Sequence, residues 1–270
     1  MALDETRRAP PPEPARGPET GTVGKAMAVL DIIAAADAPL RFTQVLARVD
    51  QPRGTLHRQI ANLVREGLVD VQADGRYVPG LRLLKLASRA WSRNSVRAVA
   101  EPHVRALHEA TGETVHLGVL NGLEVVYLDK LESRQTVRMH SQVGNASPLY
   151  CTGIGKAMLA RLDPADAAAL AERFDYRPHT PATVIRADAL LAELDRIRSE
   201  GVAHDREEHE PGIRCVACAV RAGDAVAGLS VTGPAFRLAD ATVERVAGAV
   251  RDGARALEAD LAHRLGPRQG

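Results

Sequence analysis

No stretch of this 270-residue chain approaches the roughly 18 consecutive apolar residues that a membrane-spanning helix requires. That argues against a helical membrane protein. The first 21 residues are polar and hold Pro10, Pro11, Pro12, Pro14 and Pro18, with no apolar signal-peptide core. They read as a disordered tail (1–21), and the chain as cytoplasmic. Cysteine is scarce too: there are three, an odd number in a long chain, which speaks against a disulfide framework. No internal repeat is visible. What is left is an ordinary soluble composition, 45% apolar and 26% charged. Its length fits about two domains.

The net charge of +1 is unevenly spread. Residues 22–94 carry eleven basic and six acidic side chains, whereas residues 95–270 carry 21 basic and 24 acidic. A small basic block beside a near-neutral remainder is the footprint of a nucleic-acid-binding module joined to a partner domain.

Helical spacing of Val23, Met27, Leu30 and Ile33 predicts a helix over 23–36. A short helix over 43–49, capped by Thr43, follows. After the turn Asp50-Gln51-Pro52, a third helix runs over 53–66 with Leu56, Ile60, Leu63 and Val64 inward, and stops at Gly67. Asp74-Gly75 between two β-prone runs, 68–71 and 76–78, is a strong hairpin signal. Three helices and a hairpin make a winged helix-turn-helix over 22–80. Residues 81–94 read as an amphipathic linker helix with the apolar stripe Leu83, Leu84, Leu86, Ala87 and Trp91, suited to a second subunit or to packing between domains. Residues 95–265 mix helices (96–111, 155–162, 164–173, 187–201, 240–265) with strands (114–120, 124–131, near 136–141, 214–221, 225–232). That pattern predicts an α+β domain with an antiparallel sheet.

On the third helix, 100° per residue places Gly54, Arg58, Ala61 and Asn62 opposite the core, with Thr55 and His57 flanking. Arg58 can fork onto guanine and Asn62 can pair with adenine. Arg53 and Thr55 at the helix start suit a phosphate, small Gly54 lets the helix approach the groove, and Arg76 on the wing suits the minor groove or a phosphate. The plainer alternative is a solvated polar face.

Pro52-Arg53-Gly54-Thr55-Leu56-His57-Arg58, then Arg65-Glu66-Gly67-Leu68-Val69 and the hairpin to Tyr77, resemble the DNA-binding domain of the isocitrate lyase regulator (IclR) family. Thr152-Gly153-Ile154-Gly155-Lys156-Ala157, the run from Glu207 to Ala217, and Leu229-Ser230-Val231-Thr232-Gly233-Pro234 extend the resemblance to about 22–265. Gly54 departs from it, standing where the family usually has Ser. The resemblance implies a winged helix, a linker helix and a GAF-like effector-binding domain, working as a homodimer or tetramer on a palindromic double-stranded operator, usually as a repressor. It places effector contacts at Gly153, Ile154, Asp205, Cys215, Ser230 and Thr232. The run from Ser147 to Lys156 is most similar to members that sense sugar acids.

The residues themselves support a pocket. A glycine-rich helix start at Gly153 offers free amides to an anion such as a carboxylate. Alternation puts Gly228, Ser230 and Thr232 on one face of their strand. Asp205, in an acid-rich run, can accept from ligand hydroxyls. Other chemistries are less well supported. Cys215 and Cys218 are three apart on a strand and so face opposite ways, which argues against a bridge or a chelate. His204, Asp205 and His209 lack the spacing of a closed zinc site. Gly153-Ile154-Gly155-Lys156 lacks the remainder of a phosphate-binding loop. The expectation is a regulator, with no catalytic residue, metal or cofactor, that senses a small carboxylate. The alternative is a small-molecule enzyme with an accessory DNA-binding domain.

Overall fold

The structure is a computed structural model and describes residues 21–135, 141–223 and 225–265. The chain divides into two compact units, Met1–Ala90 and Trp91–Gly270. The expected disordered tail lies almost wholly outside the described residues, as does most of the strand expected near 136–141.

In the first unit, α1 (Thr22–Ala34), α2 (Phe42–Leu46) and α3 (Arg53–Arg65) precede the hairpin of β1 (Val69–Val71) and β2 (Tyr77–Pro79); α4 (Leu81–Ser92) follows and its last two residues belong to the second unit. Val29, Leu30, Ile33, Val45, Leu56, Ile60, Leu63 and Val69 form the core. Two local expectations shift. Val23 and Met27 are exposed, so the buried face of α1 is Val29, Leu30 and Ile33. Thr43 lies inside α2, not at its cap. The N-cap is Arg41, whose amide donates to Gln44 Oε1 at 2.8 Å. The stop at Gly67 follows from backbone chemistry. Its φ of 68° is open to glycine, and Gly67 N and Leu68 N donate to the carbonyls of Val64 and Leu63, closing the helix end. At the wing, Gly75 (φ 77°) turns the chain and Val71 pairs with Tyr77. Leu40 adds a backbone bridge to Tyr77, which ties the wing to the helices. No residue of α4 is buried. Leu81, Leu84, Leu86 and Trp91 are all exposed.

The second unit is built on a six-stranded antiparallel sheet. Its elements are α5 (Ser95–Thr111), β3 (Thr114–Asn121), β4 (Glu124–Leu131), β5 (Ala146–Pro148), α6 (Gly153–Arg161), α7 (Pro164–Ala171), α8 (Ala187–Glu200), β6 (Ala203–Arg206), β7 (Ile213–Ala222), β8 (Ala225–Pro234) and α9 (Asp240–Leu265). The strand order is β5-β4-β3-β8-β7-β6. Alternation along each strand gives the sheet two apolar faces. Val115, Leu117, Val216, Val220, Leu229 and Val231 face α5 and α9. Val125, Tyr127, Cys215 and Ala217 face α6 and α8. Sequence reading missed β5 and β6, which at three and four residues are too short to show a period. It also began α6 two residues late.

α6 lies very close to the sheet because glycines make room. A Cβ on Gly228 would come within 2.9 Å of Ile154, and one on Gly118 within 3.2 Å of the same side chain. This approach brings the start of α6 down onto β6, β7 and β8.

Candidate functional site

Two surfaces carry chemistry, one in each unit. On α3 the buried residues are Leu56, Gln59, Ile60 and Leu63. The opposite arc exposes Arg53, Gly54, His57, Arg58, Ala61 and Asn62, with Thr55 half-buried. Arg58 makes no ion pair or hydrogen bond among the described residues. The guanidinium of Arg53 lies 5.3 Å from the Phe42 ring, and the His57 ring lies 6.0 Å from it, so Phe42 braces the start of α3. Asn62 Oδ1 accepts from Arg65 at 2.9 Å. Open space surrounds Gly54. Arg76, its side chain 38% exposed, lies 2.8 Å from the Asp74 carboxylate and donates to Pro39 O at 3.4 Å. A short Asp-Gly turn places that acid two residues before the arginine, in an exposed ion pair that water screens.

In the second unit, the sheet register assembles a cavity of about 210 Å³ under the start of α6. Asp205 pairs with Cys215 and Cys215 with Thr232. One step along, Ala217 pairs with Ser230 and Ser230 with His116. Because paired residues point to the same face, these side chains meet on the α6 side. Gly153, Ile154, Asp205, Cys215, Ser230 and Thr232 all line the cavity, together with His116, Tyr127, Thr152 and His209. Thr152 Oγ1 caps α6 by accepting from Gly155 N, which leaves the amides of Gly153 and Ile154 as donors at the cavity. Gly153 is required there, since a Cβ would sit 2.9 Å from Cys215 Sγ.

Asp205 is 6% exposed, so its place in an acid-rich run does not make it a solvated loop residue. Burial raises its carboxyl to about 7, against the backbone amide of Glu208, which donates to Oδ1 at 2.7 Å. The Cys215 thiol is pushed up to about 12, chiefly by burial, and stays protonated at neutral pH. Cys215 and Cys218 lie in opposite cores, as strand alternation requires. His204 and Asp205 are neighbours on β6 and so point to opposite faces of the sheet; of the three, Asp205 and His209 line the cavity and His204 does not.

Beneath the site lies Lys156, fully buried, with Nζ 2.5 Å from Glu208 Oε1 and 3.5 Å from Glu193 Oε1. It anchors the loop after β6. Thr180 donates to Glu207 O and Thr183 to Glu208 O from the segment before α8. Glu207, held between them, has φ 65°, the one non-glycine positive φ among the described residues. Strain of this kind persists where surrounding contacts over-determine it. Here they fix the loop from Asp205 to His209 at the cavity edge.

Two family models match this arrangement, the IclR helix-turn-helix domain over residues 22–73 and the bacterial transcriptional regulator IclR C-terminal domain over residues 88–259. The chain belongs to the IclR family. It is 36% identical over 244 residues to the HTH-type transcriptional regulator BhcR of Paracoccus denitrificans (strain Pd 1222), covering 89% of this chain and 87% of that protein. It is 32% identical over 225 residues to the HTH-type transcriptional regulator KdgR of Escherichia coli (strain K12), covering 82% and 86%. Its fold is similar to the crystal structure of Thermotoga maritima IclR, with a TM-score of 0.66 and 31% identity over 91% of this chain and 99% of that one. This IclR-family member is therefore a transcriptional regulator with an N-terminal DNA-binding unit and a C-terminal effector domain. Among the described residues, no helix is long and apolar enough to cross a membrane.

Sequence reading missed His116, Tyr127 and Lys156 as parts of the effector unit's site. The Thr-Val-His pattern of β3 and the lysine after Gly155 were visible, but only the sheet register and the burial of α6 give them neighbours.

Proposed function

We propose that this regulator binds a palindromic operator as a homodimer or tetramer, acts as a repressor, and leaves the DNA when a small hydroxylated or oxo carboxylate occupies the cavity under α6. The observation that carries this reading is the convergence of Gly153 and Ile154 at the start of α6, the Ser230 and Thr232 side chains and the buried Asp205 on one cavity. The amides at the helix start receive the carboxylate, and the hydroxyls and Asp205 receive the ligand's remaining oxygens. The resemblance to sugar-acid-sensing members and the family's repressors support the ligand class and the sign of regulation.

A thermal-shift screen of acetate, glycolate, 2-oxobutanoate and gluconate tests it, since a ligand at about 100 times its dissociation constant stabilises by roughly 2.7 kcal/mol. A bare Asp205 carboxylate repels an anionic ligand, whereas its neutral form donates to it. With the carboxyl raised to about 7, the neutral form dominates below that pH. The best acid is therefore expected to bind about tenfold tighter at pH 6 than at pH 8. Asp205→Asn should flatten that profile. The same shift lowers fold stability as pH rises from the ordinary carboxylate range to about 7, because over that window the folded state keeps a proton that the unfolded chain has already released. Affinity that grows with pH would contradict this placement of the anion, and failure of every acid to bind would remove the ligand class.

Dimerisation rests on α4. A helix with no buried residue and with Leu81, Leu84 and Leu86 exposed leaves an apolar face that a second copy covers. The two-fold axis of such a dimer in turn makes the operator palindromic. Sedimentation at micromolar concentration is expected to show at least twice the 28.9 kDa chain mass. A single 28.9 kDa species would end this part of the proposal.

A further inference from the structure

His116 lies on the cavity wall, 3% exposed, directly opposite Ser230 on β8 and Lys130 on β4. Both ring nitrogens have oxygen neighbours, at unequal distances. Nε2 is 2.7 Å from Ser141 Oγ. Nδ1 is 3.5 Å from Ser230 Oγ and 3.4 Å from Thr232 Oγ1. Burial, and next the Lys130 charge, push this histidine down to about 3, so the ring is neutral at pH 7. A neutral imidazole has one N–H and one lone pair, so its two sides act differently.

The distances indicate which side is which. A single short contact at Nε2 suits a hydroxyl donating into a nitrogen lone pair, since N–H···O bonds centre on longer distances of about 2.9–3.0 Å. Two long and nearly equal contacts at Nδ1 suit one N–H shared between two oxygens, a three-centre bond. With the roles reversed, the Nδ1 lone pair would take its hydrogen from one hydroxyl, drawing that oxygen in and leaving the other apart. Lys130 Nζ donates to Ser141 O at 2.6 Å and so holds the segment that supplies the Ser141 hydroxyl.

We propose that His116 sets the hydrogen-bond polarity of the cavity: Nδ1–H, shared by Ser230 and Thr232, turns both hydroxyl hydrogens toward the ligand, so this end of the site takes a carbonyl or carboxylate oxygen and rejects a protonated amine. Each hydroxyl has a single hydrogen. When its oxygen accepts from the ring, that hydrogen is released to the ligand. The Cys215 thiol beside the pair is a weak acceptor and does not compete with a ligand oxygen. The consequence for ligand choice rests on the acid-binding reading above. His116 acts through the hydroxyls and is a positioning residue.

The first test needs no ligand. In 15N-histidine NMR of the full chain at pH 7, His116 is expected to be protonated at Nδ1 with a lone pair at Nε2. An Nε2–H tautomer or an imidazolium overturns the proposal. The second test uses 2-oxobutanoate and 2-aminobutanoate, which share a skeleton and a carboxylate but present an oxygen acceptor or an ammonium. Calorimetry should show the oxo acid binding at least about tenfold tighter. His116→Gln, whose amide reaches only the Nε2 position, should narrow that ratio by about two- to tenfold. His116→Asn, whose amide reaches the Nδ1 position, should keep most of the ratio and so shows that loss in the Gln variant is not a folding failure. The same ratio in wild type and both variants also overturns the proposal. If wild type binds neither probe, the acid-binding reading fails, and the tautomer alone then decides the role of His116.

Discussion

Replacing Lys156 by Met is expected to lower the melting temperature of the C-terminal unit by on the order of 10 °C, from a loss of about 3–5 kcal/mol. The side chain is completely enclosed and its ammonium answers Glu208, itself 6% exposed. One oxygen of Glu208, Oε2, is buried and has no partner among the described residues even with the lysine present. Burial already raises the Glu208 carboxyl and Lys156 opposes that rise. Without the lysine, Glu208 must either stay ionised and unpaired or take up a proton, and both destabilise the folded state. The sign with pH follows. An acid whose folded value is raised stabilises least at high pH, so the deficit of the variant should shrink as the solution is acidified. Calorimetric melting of the full chain at pH 5 and pH 8 measures both effects. Adding Glu208→Leu to Lys156→Met should recover much of the loss, because the pair is then replaced by apolar groups rather than broken. A melting temperature within 2 °C of wild type in the single variant would show that the ion pair is not what secures this loop.

Arg58→Ala is expected to remove about 1–3 kcal/mol of specific operator binding while leaving binding to random DNA nearly unchanged. The expectation comes from position and freedom together. Arg58 lies opposite Leu56, Ile60 and Leu63 on α3, is exposed, and is engaged by no hydrogen bond or ion pair among the described residues. Its guanidinium fork is therefore available for the two acceptors of a guanine edge. A phosphate contact would act differently, weakening all DNA alike and reducing the slope of log affinity against log salt by about one unit. Titrations of operator and random duplexes at several salt concentrations separate the two. Equal loss on both duplexes would assign Arg58 to the backbone, and no loss on either would remove it from the interface. Arg76, already paired with Asp74, should show the smaller effect.

The N-terminal unit was legible in the sequence because its signals are local. An apolar period of 3.6 over α3, glycine at its left-handed end and Asp-Gly between two short β-prone runs each act within a few residues. In the C-terminal unit, the alternation of Ser230 and Thr232 against Leu229 and Val231 predicted the cavity face of β8, and the same rule separated Cys215 from Cys218. The resemblance supplied Asp205 and Cys215 as site positions, and the cavity contains both.

What the local signals could not carry is whatever depends on partners distant in the chain. His116 acquires its meaning from Ser230, 114 residues away, through the pairing of β3 with β8. Lys156 has no assigned role in the sequence; its partner Glu208 lies 52 residues on. Asp205 reads as an effector contact from the resemblance, but its burial and its raised carboxyl appear only once α6 covers it. Arg76 reads as a wing cation, and only the closed hairpin shows it beside Asp74 and Pro39. Periodicity states which face of an element is buried. Register and helix packing decide which charged and polar groups share that face, and those choices set the protonation of Asp205 and His116 and so the chemistry the cavity can recognise.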